Sequence, residues 1–296
     1  VPPTPPLSVW PTGQRDPLAQ LRDAGCVPGA GTDTDRIPPA VAAHAIAIYT
    51  RSGDLVLDPD CGVGTVLVEA LRAGRHAFGL TSRNRWWTLA RANVTAAKTA
   101  GAWRDGSVLD SRPKVLATVR AAGLIGRVGL VLTTLRIADR ESSSPGRDPV
   151  EAALVDLATT LLYCEPLLRS GGHVAIVTRP LRSPDGSLVD LTTPLIDAAA
   201  EAGLVPVERC IALTAGLRGS RLVTRASLAK RRATARAHTA GTPTALTAHH
   251  EVLVFQLAHD AELAATAAAG IRWPTDDEVN RPAVNGVTCP GWRRVA

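Results

Sequence analysis

The residue types and spacing best suited to chemistry lie in Leu55-Val-Leu-Asp58-Pro59-Asp60-Cys61-Gly62-Val63-Gly64-Thr65. An apolar run ends on an acid, two glycines follow, and helix-forming Val66–Ala73 begins at once. Glycines let a ligand approach the main chain closely. The start of a helix offers unpaired N–H groups and the positive end of a dipole. Asp58 and Thr65 flank the turn with a carboxylate and a hydroxyl. The chemistry on offer is the holding of a ligand at a strand-to-helix joint; a glycine turn that only tightens the joint is the other reading. No Ser/His/Asp nucleophile set and no metal-ligand spacing is visible. The cysteines (Cys26, Cys61, Cys164, Cys210 and Cys289) lie far apart with no C-x-x-C pair, which predicts reduced thiols. His249-His250 precedes a strand and reads as structural.

A second pattern is electrostatic. Between Glu208 and Glu251 the chain has eight Arg or Lys and no acid, so this stretch carries +8 of a total of +6 and leaves −2 on the rest. Arg218, Arg221, Arg225, Lys230, Arg231, Arg232 and Arg236 follow Gly216 and suit a polyanion such as nucleic acid. A solvated Arg-rich loop is the competing reading.

The elements that must position these groups follow from the apolar pattern. Strands are predicted at Leu55–Pro59, Ala77–Thr81, Val128–Thr133, His173–Thr178, Val207–Thr214 and Glu251–Leu257. Helices are predicted at Ala40–Thr50, Thr65–Ala73, Arg83–Gly101, Pro149–Leu168 and Leu188–Ala202. Strands alternating with helix-length segments predict parallel strands joined by right-handed crossovers. The last two strands have no helix-length apolar segment between them, which suits an antiparallel finishing strand. Residues 1–36 read as a Pro-rich tail with at most a turn or two of helix. Residues 37–259 read as one domain and 260–296 as a C-terminal extension.

At 296 residues, 45% hydrophobic and 20% charged, the chain is long enough for a sizeable core, and a mostly disordered protein is excluded. No apolar run is long enough for a membrane span. The start, Val1–Trp10, lacks the pattern of a signal peptide. These features predict a cytoplasmic protein without a membrane partner.

D-P-x-x-G-x-G-T at Asp58–Thr65, preceded by Pro38-Pro39 and Ser-Gly-Asp-Leu-Val-Leu, resembles the class I S-adenosylmethionine-dependent methyltransferases. More closely it is similar to the DNA methyltransferases that modify N6 of adenine or N4 of cytosine. Ala73-Gly74-Arg75, Phe78-Gly79-Leu80, Arg85-Trp86 and Ala90-Arg91-Ala92-Asn93 continue the likeness. So do Arg169-Ser-Gly-Gly-His-Val-Ala-Ile-Val-Thr178 and His250-Glu251-Val-Leu-Val-Phe255. The resemblance spans about residues 37–257. It implies a Rossmann-like α/β fold, a mostly parallel seven-stranded sheet with helices on both faces and an antiparallel last strand. It implies S-adenosylmethionine as cofactor, held by Asp58, Pro59, Cys61, Gly62, Gly64, Thr65, Thr81 and Ser82, with Ile37–Ala40 bordering the pocket.

Three departures qualify the activity. Leu80-Thr81-Ser82 stands where the family has a carboxylate for the ribose hydroxyls. Asp105 and Asp110 are the nearest candidates for the acid near the third strand, though an exposed turn suits either. Thr133, Thr134 and Arg136 stand where a (Asp/Asn/Ser)-Pro-Pro-(Tyr/Phe) motif would hold and stack the target base. By position Thr133 and Thr134 would serve as the degenerate catalytic pair and Arg136 as a phosphate contact. Trp86 and Trp87 would wall the adenine or pack. Asp139–Asp148 reads as a remnant substrate loop. The expected activity is methyl transfer to exocyclic amines of DNA bases. The alternatives are an impaired relative that binds nucleic acid or a catalytic partner, and an RNA or small-molecule methyltransferase. A homodimer or a partner subunit is compatible with all three.

Overall fold

The computed structural model describes residues 5–118, 123–137, 148–183, 186–242 and 244–268. Asp139–Arg147, Cys289 and most of the C-terminal extension lie outside them. Two units are distinguished, residues 1–261 and 262–296; the fold below is that of the first.

Among the described residues, the strands are β1 (Val9–Trp10), β2 (Leu55–Asp58), β3 (His76–Thr81), β4 (Gly106–Asp110), β5 (Val128–Thr134), β6 (Leu168–Thr178), β7 (Leu204–Leu213), β8 (Gly216–Arg218), β9 (Arg221–Val223) and β10 (His249–Leu257). The helices are α1 (Pro17–Asp23), α2 (Pro39–Tyr49), α3 (Thr65–Arg72), α4 (Asn84–Thr99), α5 (Pro149–Cys164), α6 (Thr192–Glu201), α7 (Leu228–Thr239) and α8 (Ala258–Ala268).

The main sheet runs β1-β7-β10-β6-β5-β2-β3-β4, and β8 and β9 form a separate antiparallel hairpin. In the main sheet β10 is antiparallel to both neighbours and every other pairing is parallel. The central strands are continuous apolar runs because both faces are covered. Val41, Ile46, Leu67, Ala90 and Val94, from α2, α3 and α4, fill one face against Val56, Leu130 and Ala175. Leu157, Leu161, Leu195 and Ala199, from α5 and α6, fill the other against Leu57, Val131 and Ile176.

Three outcomes differ from the sequence reading. The sheet has eight strands, because β1 pairs in parallel with β7, Val9 opposite Ile211 and Trp10 opposite Ala212. Residues read as a tail are therefore packed: Trp10 is fully buried, and the Thr12 hydroxyl donates to the Leu213 carbonyl at 2.8 Å. Gly13 approaches the Ala215 backbone so closely that a Cβ would lie 2.2 Å from its carbonyl oxygen. Second, β4 escaped the apolar pattern because it is the outermost strand and carries only Val108 and Leu109 as large apolar residues. Third, the basic stretch holds a hairpin and then a helix, α7, capped by Ser227, whose hydroxyl accepts from the Lys230 N–H. No described helix is long and apolar enough to cross a membrane.

Strand order reverses between β2 and β5, whose connections leave on opposite sides. In open α/β sheets this switch point leaves a crevice at the carboxyl ends of the strands. The Asp58–Thr65 turn stands there.

Candidate functional site

The turn is tied down from three sides. Cys61 N–H donates to the Leu80 carbonyl at 2.8 Å, joining the turn to β3. The Asn93 amide of α4 donates to the Val63 carbonyl at 2.7 Å and its oxygen accepts the Val27 N–H at 2.7 Å, with Asn93 wholly buried. The Thr65 hydroxyl donates to the Ile37 carbonyl at 2.9 Å, which fastens the segment before α2 to the start of α3. Gly62 and Gly64 have φ of +50° and +79°, so the turn needs glycine for its backbone alone. A Cβ on Gly64 would also lie 3.2 Å from that of Ala90, so this glycine serves close packing of α4.

In front of the turn lies a cavity of about 630 Å³ at the carboxyl ends of β2, β3, β4 and β5, walled by α5. Pro59, Asp60, Thr81, Ser82, Thr133 and Thr134 line it, and Arg83, Arg112 and Lys114 form a cationic rim. The volume is that of a small-molecule site. Thr81 is 2% exposed, and its hydroxyl has no hydrogen-bond partner. A buried hydroxyl left unpaired is costly, and this one stands at the end of β3, where the family holds the ribose. The residues present thus fit the nucleoside half of the implied cofactor, with hydroxyls in place of a carboxylate.

Beside Gly62 the arrangement is different. Asp33, 2% exposed, accepts two hydrogen bonds from the Arg136 guanidinium at 2.8 and 3.1 Å. The same carboxylate accepts the N–H of Val63 in the glycine turn at 3.2 Å and that of Asp35 at 3.2 Å. Arg136 also donates to the Asp60 carbonyl at 3.1 Å. A Cβ on Gly62 would lie 2.0 Å from Asp33 Oδ2 and 2.2 Å from an Arg136 nitrogen, so these two side chains fill the space over the turn. Burial alone would raise the Asp33 carboxyl, but its bonds to Arg136, Val63 and Asp35 outweigh that and hold it below the usual carboxylate range. Burial works against the Arg136 charge too; Asp33, Asp60 and Asp58 more than offset it, and the guanidinium stays charged. Asp58, buried at the end of β2, is pushed up to about 8 by burial, with Arg136 pulling the other way.

The structure sorts the residues singled out from sequence. Pro59, Thr81, Ser82, Thr133 and Thr134 come together on the cavity. The Thr134 hydroxyl is already spent on the Val177 carbonyl at 2.8 Å, leaving Thr133 as the freer of the pair. Asp58 stands behind the turn and accepts the Asp60 N–H at 3.2 Å. The Cys61 thiol is turned into the core, and a Cβ on Gly79 would meet it at 3.0 Å, so its side chain packs there. Thr65 likewise clamps Ile37. Asp105 precedes β4 at the opposite end of the strand, exposed and paired with His76 at 3.2 Å, whereas Asp110 ends β4 on the cavity side. Trp86 packs with Leu21, Ala30 and Val63, and the Trp87 ring nitrogen donates to the Val108 carbonyl at 3.3 Å; neither lines the cavity. His250 is partly buried, and burial pushes its ring down to about 4, which suits a structural role.

Two assigned cations are otherwise engaged. Arg136, placed from sequence as a phosphate contact, is committed to Asp33. Arg225 donates to the Gly13 and Gln14 carbonyls at 3.0 and 2.6 Å and pins the hairpin to the N-terminal segment. Arg218, Arg221, Lys230, Arg231, Arg232 and Arg236 are exposed on the hairpin and α7, although Arg231 also donates to the Ala226 carbonyl at 3.1 Å. Lys230 borders a second cavity of about 690 Å³ with Arg179, Arg182 and Arg209.

Sequence reading missed Asp33, Asn93 and the cationic rim. Asp33 sits in Gly-Thr-Asp-Thr-Asp, a run that reads as an exposed turn. Its partner is 103 residues away, so only the fold reveals the pair. Asn93 already belonged to the quoted Ala-Arg-Ala-Asn motif, whose polar end on a helix was the available signal.

Residues 5–90 match the family model described as DNA methylase (N6_N4_Mtase). No curated protein matches the chain. Among solved structures, TrmN from Thermus thermophilus is 17% identical with a TM-score of 0.46, the match covering 75% of this chain and 49% of that one. This chain thus spans about half the length of TrmN. A geranyl diphosphate methyltransferase in complex with SAM is 15% identical, covering 84% of this chain and 97% of that one, TM-score 0.46. The precorrin-6y C5,15-methyltransferase of Geobacter metallireducens GS-15 is 12% identical, covering 76% and 90%, TM-score 0.46. With this strand order, an antiparallel β10 between β6 and β7, and the match at residues 5–90, the chain has the Rossmann-like fold of class I S-adenosylmethionine-dependent methyltransferases and resembles their DNA methylase family.

Proposed function

We propose that the chain binds S-adenosylmethionine in the switch-point crevice and catalyses methylation of an exocyclic amine of a nucleic-acid base, with DNA as the first candidate. The observation that carries this reading is the cavity in front of the Asp58–Thr65 turn, with the unpartnered Thr81 hydroxyl at its ribose end.

Thr81 and Ser82 would accept and donate hydrogen bonds to the ribose, and Pro59 would supply an apolar wall. The backbone N–H groups at the start of α3 would face the amino-acid end. When bound, the cofactor supplies a methyl group already activated on a sulfonium. The protein's part is then to align acceptor and donor, which is worth several kcal/mol when the reacting atoms are held near contact. Thr133 is the polar side chain at the end of β5 with a free hydroxyl toward the acceptor. A base must leave its stack to reach it, and Arg218, Arg221, Lys230, Arg232 and Arg236 would hold the phosphates meanwhile. The test is incubation with methyl-labelled cofactor and separate pools of DNA and RNA. Label on DNA supports the reading, label on RNA moves the substrate class, and no label on either contradicts it.

A second reading is favoured by β5 itself, which ends in Thr133-Thr134 and runs on into Leu135-Arg136 with no aromatic ring to stack a base. In it the protein is catalytically impaired and binds nucleic acid or a catalytic partner. Calorimetry with S-adenosylmethionine discriminates: micromolar binding weakens this second reading.

A further inference from the structure

The glycine turn and Arg136 form a site for a carboxylate, and the chain fills it with its own. Asp33 takes the Val63 N–H and both terminal nitrogens of Arg136, directly over Gly62. Arg136 is held against that position from the other side by the Asp60 carbonyl. The groups are therefore built to stay when the carboxylate changes. The segment that delivers Asp33 is anchored at both ends. Ile37 is clamped by Thr65, and Val27 by Asn93. Between them the Thr32 hydroxyl bonds back to Gly29, and Asp35 pairs with Arg179. The crevice beyond, toward Thr81, is free of side chains from this segment.

We infer that Asp33 is a built-in competitor for the carboxylate of an amino-acid-bearing nucleoside, so that it sets which adenosine ligands the crevice admits. This rests on the reading of the crevice as an S-adenosylmethionine site. A nucleoside without an amino-acid tail occupies the cavity and leaves Asp33 in place. A ligand with the tail must first displace Asp33 from Val63 and Arg136, and then uses the same donors for its own carboxylate. Its apparent affinity is reduced by the fraction of molecules in which Asp33 has let go. Asp33 is thus a specificity-determining residue, and the Asp33–Arg136 pair closes the amino-acid half of the site at rest.

Two probes separate the effects: S-adenosylhomocysteine, which has the tail, and 5′-deoxy-5′-methylthioadenosine, which lacks it. Both are titrated by calorimetry into wild type, Asp33→Asn and Asp105→Asn. The expected result is that Asp33→Asn tightens S-adenosylhomocysteine by about tenfold or more and moves methylthioadenosine by less than about twofold. Asp105→Asn removes an exposed carboxylate that pairs with His76 at the end of β4 away from the cavity and should change neither. Wild type alone should bind methylthioadenosine at least as tightly as S-adenosylhomocysteine, a comparison that stands even if a variant fails to fold. Methylthioadenosine binding with an unchanged ratio of the two affinities in Asp33→Asn overturns the competitor and leaves the cofactor site intact. So does wild type that prefers S-adenosylhomocysteine by about tenfold. Neither probe binding to any form overturns the cofactor reading, and the competitor falls with it.

Discussion

Asp33, Arg136, Asp58 and Asp60 place three acids around one buried guanidinium, and their protonation follows from who holds the cation. Asp33 has the direct bonds and stays ionised; Asp58, without a cation of its own, is pushed up from 3.8 to about 8. A carboxyl raised in the folded state binds more protons there than in the unfolded chain between those two values. Its contribution is therefore full below about pH 4 and is lost as the pH rises through about 8. Asp58→Asn, which keeps an acceptor for the Asp60 N–H, should remove this loss. Urea unfolding across that range should show the variant gaining on wild type as the pH climbs, and parallel pH profiles would contradict the assignment. The partly buried His250 titrates in an overlapping window with the opposite sign and is common to both proteins, so it cancels in the difference. None of this coupling was legible in the sequence. Arg136 follows a strand end and invites a phosphate, and only the fold brings Asp33 beneath it.

Among the elements, those made by apolar periodicity were legible and those made by context were not. β2, β3, β5, β6 and β10 announce themselves because strands covered on both faces must be apolar runs, and β7, exposed from Pro206 to Arg209, does so only through its apolar end at Cys210–Leu213. β1 has only Val9 and Trp10 and needs the edge of β7 to exist. β4 needs only one well-covered neighbour. α7 has no buried residue, so no periodic stripe marks it, and its helix rests on the Ser227 cap and its Ala- and Arg-rich composition. A helix with no buried residue, its Lys230, Arg232 and Arg236 exposed, is suited to an anionic surface. Replacing these three by Gln should weaken nucleic-acid binding at every sequence tested. It should also flatten the slope of log K against log salt by about 2 to 3 on duplex DNA if each meets a phosphate. An unchanged slope, measured by fluorescence anisotropy between low and physiological salt, would place the nucleic acid elsewhere. The glycine turn is the opposite case. Its place was readable because strand, turn and helix follow one another in sequence, while its occupant was not, because the occupant comes from the segment before α2.

Over the whole molecule, the sheet's switch point gathers the chemistry at one edge. The cavity, the glycine turn and the Asp33–Arg136 pair all belong to the carboxyl ends of β2 to β5. The most direct test is a structure determined with saturating S-adenosylhomocysteine. The adenosyl group should lie in the 630 Å³ crevice with its ribose against Thr81, and Asp33 should be displaced from the Val63 N–H. An empty crevice with the Asp33–Arg136 pair intact, or the ligand seated instead in the cavity beside Lys230, would contradict the account.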